Sequence, residues 1–109
     1  MSIQGITNIL VWFDQIKTNP RVFLGTIDPR ETDFGFRVLR NTCGAFNVVW
    51  DRTLYQQVIE ERGWTYTAMG VLPSLLETHM TEWEMTQELI RIEMLVWKQI
   101  QERFLAGAG

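Results

Sequence analysis

Arg30, Arg37 and Arg40 lie within eleven residues of one another and form the polar cluster in this chain best suited to holding an anion. A guanidinium offers a planar fork of donors that meets carboxylate or phosphate oxygens two at a time. The simpler use of the same arginines is pairing with Asp28, Asp33 or Asp51 across neighbouring strands. Arg30, Glu31 and Asp33 fall in a connection between elements, where exposed functional residues collect.

No other constellation is as suggestive. His79 is the sole histidine and Cys43 the sole cysteine. A Cys–His dyad would need the fold to join a turn thiol to an imidazole at a helix end. Zinc would need carboxylates to complete its shell, so no metal site and no cofactor is expected. Cys43 has no neighbour that would lower its pKa, which predicts an ordinary thiol. Glu60-Glu61 and the Glu84/Glu88 pair, with Arg91 one turn from Glu88, read as solvated helix faces. Asp33-Phe34-Gly35 spells the metal-binding tripeptide of kinases, but no catalytic loop or glycine-rich loop accompanies it. Phe34-Gly35-Phe36 echoes an aromatic RNA-binding strand in the wrong element order. No phosphate-cradling loop or dinucleotide fingerprint is present, and no catalytic residue is assigned.

Composition narrows the class further. The chain has 109 residues, 46% hydrophobic and 21% charged, as expected of a single globular domain spanning residues 1–109. Five Trp and six Phe predict an aromatic-rich core. A lone cysteine excludes an intrachain disulfide and fits a cytoplasmic setting. The N-terminal apolar stretch has no basic residues ahead of it and does not read as a signal peptide; no run is long enough to span a membrane. Net charge is −3 and unevenly spread. Residues 21–52 hold five Arg against four acids, whereas residues 53–109 hold four bases against eight Glu. Lysine poverty, with only Lys17 and Lys98, disfavours nucleic acid as a partner.

The elements that must position these residues read as an α+β fold. Residues 2–17 carry apolar side chains at helical spacing and end at Asn19-Pro20. Arg21–Ile27, Phe34–Asn41 and Ala45–Asp51 are rich in Val, Phe and Leu and separated by turn residues. Links this short require antiparallel neighbours, predicting a three-stranded meander. Thr53–Arg62 reads as a helix stopped by Gly63, Trp64–Met69 as a candidate fourth strand, and Ser74–Met80 as a brief helix with a Ser74–Glu77 capping box. A long helix then runs from Thr81 to about Leu105, with 106–109 expected to fray.

That last helix has two opposed apolar stripes where a surface helix has one. Trp83, Ile90, Met94, Trp97 and Phe104 form one; Met85, Leu89, Ile92 and Val96 form the other. At about 1.5 Å per residue it is as long as the whole domain is wide. Either both stripes are internal, with the N-terminal helix covering one, or one stripe meets another chain, most simply a second copy in a homodimer.

The leading functional expectation is therefore a small, acidic, non-enzymatic interaction protein, such as a stoichiometric inhibitor, an immunity protein or a phage-type accessory factor. Its partner would be another protein, with a basic one suiting the acidic C-terminal half. A second reading is nucleic-acid or nucleotide binding by an Arg-bearing sheet face with Phe34, Phe36 and Trp50. A third is a small enzyme with a pocket between sheet and C-terminal helix, using His79 or Glu77.

Overall fold

The computed structural model describes residues 3–46 and 48–107. Helix α1 (Ile3–Thr18) buries Ile6, Phe13 and Ile16, the face its apolar periodicity marks. Asn19-Pro20 breaks it, and Pro20 becomes the first residue of a single turn, α2 (Pro20–Phe23).

The chain then departs from the expected meander. Phe34–Asn41 lies inside an α-helix, α3 (Pro29–Thr42), not in a strand. Arg21–Ile27 is α2 followed by a turn, and Ala45–Asp51 is the end of a 3₁₀ turn (Cys43–Phe46) followed by irregular chain, with residue 47 outside the described set. Among the described residues there is no strand, only an isolated bridge from Thr67 to Gly70, so Trp64–Met69 is a looped turn as well. The α+β assignment is thus replaced by an all-helical fold.

The physical reason lies at Asp28-Pro29, which starts a helix and does not merely turn the chain. Asp28 is the N-cap: its Oδ1 accepts from the Arg30 and Glu31 amides at 2.8 and 3.2 Å. Pro29 fills the first helical position, where its missing N–H costs nothing. Asp51 does the same for α4 (Arg52–Glu61), accepting from Thr53 N and Leu54 N. This helix begins one residue earlier than its sequence pattern predicts, and Gly63 follows it at φ +85°.

α5 (Leu72–Leu76) is shorter than the predicted Ser74–Met80 helix. The Ser74–Glu77 box does not form; Ser74 Oγ instead accepts from Thr65 N at 3.2 Å. α6 (Glu82–Gly107) opens on a true capping box, in which Thr81 and Glu84 each bond the other's amide at 3.1 Å. Ala106 and Gly107 are still helical, and residues 108 and 109 of the predicted frayed tail lie outside the described residues.

α6 has 26 residues and forms the axis of a body measuring 45 × 30 × 20 Å. α1, α3, α4 and α5 all pack on it. Both of its apolar stripes are therefore largely internal: Ile90, Met94 and Trp97 are buried, as are Met85, Leu89, Ile92 and Val96. Two groups at the helix junctions hold the arrangement. Thr86 Oγ1 donates to Ile27 O at 2.7 Å, tying the start of α3 to α6. Glu88 accepts from Arg62 Nε, Arg62 Nη2 and Trp64 Nε1 at 2.5, 2.7 and 2.7 Å, tying the end of α4 to α6. No described helix is long and apolar enough to cross a membrane.

Candidate functional site

An open cavity of about 510 Å³ lies where α3, the 3₁₀ turn, residues 48–50, α4 and the Ala68–Gly70 turn meet. Arg37, Arg40 and Asn41 reach it from α3, Trp50 from the segment before α4, and Arg52 and Tyr55 from α4. Helical spacing explains the α3 contribution, since Arg37, Arg40 and Asn41 recur at intervals of three and four and so share one side.

Arginine and aromatic rings alternate through this region. The Arg40 guanidinium carbon sits 4.3 Å from the Tyr55 ring centroid and 4.8 Å from that of Trp50. Trp50 in turn lies 5.2 Å from Trp97 and 5.5 Å from Tyr55, both tilted. Tyr55 meets Tyr66 edge-on at 6.0 Å, and Arg52 both covers the Tyr66 ring at 5.5 Å and donates to its hydroxyl. Ring faces are electron-rich, so each guanidinium is held electrostatically while its flat surface is partly stripped of water.

Beneath the cavity floor is a buried ion pair. Arg40 Nη2 donates to Oε1 of Glu93, which is fully buried in α6. Burial raises the Glu93 pKa to about 7, against the opposing pull of Arg40 and of the nearby Trp97 indole, with Asp33 adding to the rise. The indole lies close enough to ease the carboxylate's charge without closing a hydrogen bond of ordinary geometry. Burial lowers the affinity of Arg40 for its proton, but Glu93 more than offsets that, so its pKa stands above the usual arginine value. Asp33 is also raised by burial, opposed by Arg37 and Arg40. Tyr55 is raised for the same first reason, burial, and its hydroxyl accepts from Val71 N at 3.2 Å.

Arg37 fixes the far wall. Its Nε pairs with Asp33 Oδ2 at 3.1 Å, one turn back, and its Nη2 donates to Met69 O at 2.6 Å. The turn it grips depends on Gly70, whose φ is +82°; a Cβ there would stand 2.6 Å from Tyr55 Oη. Buried Cys43 lines the cavity too, its Sγ donating to Arg40 O at 3.2 Å.

Of the predicted anion contacts, Arg37 and Arg40 are brought together and Arg30 is not. Arg30 is exposed beside Leu24, Gly25 and Phe34 at the other end of α3. Of the predicted interaction stripe, Ile90, Met94 and Trp97 are buried within the chain, Phe104 is half-buried, and Trp83 retains 37% of its surface. His79 and Glu77 are exposed around the turn after α5, away from the cavity lining. Among the described residues no three His, Cys, Asp or Glu side chains come together as metal ligands. Sequence reading missed Arg52, Tyr55 and Glu93. No local spacing announces these three, because their contacts cross between elements.

The chain matches no protein-family model, no curated protein and no solved structure.

Proposed function

We propose that this domain is a non-catalytic binding protein, and that its arginine–aromatic cavity takes a small anion carrying a flat ring, of the size and chemistry of a mononucleotide. The observation that carries the reading is Arg40, sandwiched by Tyr55 and Trp50 at the cavity wall, with Arg37 and Arg52 on its rim. Arginines at the rim suit a phosphate or carboxylate, while the half-buried face of Trp50 suits a ring stacked on it. A volume of about 510 Å³ falls in the range of small-ligand sites. The lone buried thiol, Cys43, suits a cytosolic setting.

Calorimetric titration with adenosine monophosphate, adenosine and ribose 5-phosphate tests this. Binding of the nucleotide, weakened about tenfold when either phosphate or base is missing and again by Arg52→Ala, is the expected result. Equal or absent binding of all three ligands overturns it.

The second reading, a protein-interaction domain, draws on a different surface. Phe34 and Val38 are exposed at 68% and 45% one turn apart on α3, opposite its buried Phe36. An apolar pair of this kind fits a partner protein better than the α6 stripe does, because Trp97, Ile90 and Met94 are covered by the chain itself.

A further inference from the structure

The chain has two lysines, and both line one groove. Lys17, in the last turn of α1, and Lys98, in α6, flank a cavity of about 250 Å³ together with Arg91. Its apolar lining is Trp83, Ile90, Met94 and Leu95. Trp83 is partly exposed there, whereas Ile90 and Met94 present the little surface they keep.

The charge around this groove is unbalanced in a chain that is acidic overall. Neither Lys17 nor Lys98 forms an ion pair among the described residues. Arg91 comes no nearer than 3.9 Å to Glu88, whose oxygens already accept from Arg62 and Trp64. Three cations thus line an apolar trough whose described lining holds no carboxylate. Lysine suits such a rim, because its methylene stem can cover apolar surface while the ammonium stays in water. Methionine at the floor lets the trough adapt its shape.

We propose that this groove binds a single-chain anionic amphiphile, a medium-chain carboxylate, with its head group among Lys17, Arg91 and Lys98 and its alkyl chain over Trp83 and Met94. The charge selects an anion, and a cavity of about 250 Å³ has room for one alkyl chain sooner than for a bulky ligand. This site is separate from the arginine–aromatic cavity and does not depend on what binds there.

The test is calorimetric titration of the full chain with octanoate, decanoate and decanol, each below its aggregation concentration. Decanoate should bind about tenfold tighter than octanoate, as two further buried methylenes predict. It should also bind at least tenfold tighter than decanol, which has the same chain without the charge. The double variant Lys17→Gln/Lys98→Gln, altered only at exposed positions, should keep the helical circular dichroism spectrum and lose about tenfold in decanoate affinity. Trp83→Ala should weaken decanoate and decanol alike. Failure of decanoate to bind, decanol binding as tightly as decanoate, or unchanged affinity in the lysine variant would each overturn the proposal. So would association with anionic phospholipid vesicles in the absence of decanoate binding.

Discussion

Arg40 of α3 donates to Glu93 of α6 across 53 positions of sequence, and this contact joins the cavity wall to the central helix. Both side chains are almost wholly removed from water, at 12% and 0% exposure. Such a pair is costly to bury and costlier to break, because losing one partner strands the other charge.

Stability should therefore fall as pH rises through neutrality. Burial lifts Glu93 from 4.5 in the unfolded chain to about 7 in the folded one. Between those values the folded state holds a proton that the unfolded state releases, so the slope of stability against pH is negative. The contribution is fully present below pH 4.5, is lost as pH passes 7, and amounts to roughly 3 kcal/mol. Urea midpoints at pH 5 and pH 8 measure it at fixed ionic strength. Glu93→Gln should flatten that part of the profile; an unchanged slope would show that the proton sits elsewhere.

Removing only the cation should be worse than removing the pair. Arg40→Ala leaves Glu93 buried without its partner and should cost about 3 kcal/mol. Arg40→Met combined with Glu93→Leu replaces both groups by apolar ones and should recover most of that loss. Chemical denaturation of the single and double variants at pH 8 decides it. A double variant less stable than Arg40→Ala would contradict the argument.

The Glu88 clamp should respond to acid in the opposite sense. Burial alone would raise Glu88, but hydrogen bonds from Arg62 and Trp64 outweigh it and hold the carboxyl below its usual value. A lowered folded-state pKa contributes stability above the unfolded value of 4.5 and loses it as pH falls further. Glu88→Ala should cost about 2 kcal/mol at neutral pH, kept modest because Arg62 is partly in water. The loss should shrink towards pH 3, which thermal melts across that range would reveal.

A side chain at position 70 should be costly. Gly70→Ala combines a φ of +82° with a Cβ 2.6 Å from Tyr55 Oη, and should cost about 2 kcal/mol. Adding Tyr55→Phe removes the opposing oxygen and should return part of the loss. No rescue would locate the whole penalty in the backbone.

Trp97→Glu distinguishes an internal stripe from an interface. Trp97 is wholly buried against Trp50, so a carboxylate there should unfold the isolated chain. Light scattering of the unaltered protein should give a mass near 12.8 kDa. An unaltered protein at twice that mass, split to single folded chains by Trp97→Glu, would show that this side chain serves a subunit contact; a folded variant of unchanged mass would contradict both readings.

Helices whose buried faces are apolar, or whose ends are explicitly capped, are legible in the residue pattern alone. α1 follows from Ile6, Phe13 and Ile16 at helical spacing, and α6 from its Thr81–Glu84 box and its two stripes. The spacing of Arg37 and Arg40 is likewise legible, and both reach the same cavity from α3. α3 reads as a strand because its inward face carries Thr32, Asp33 and Arg40 beside a single Phe36, while Phe34 and Val38 point outward. Apolar pattern alone then favours a strand, although Asp28-Pro29 followed by Glu31 held the helix-start signal. What those polar groups do emerges only when the helices pack. Asp33 and Arg40 can face the core because Arg37, Glu93, Tyr55 and Trp50 meet them there from one turn to 53 positions away. Local sequence encodes the cost of burying a charge, but the partner that offsets it arrives from another element.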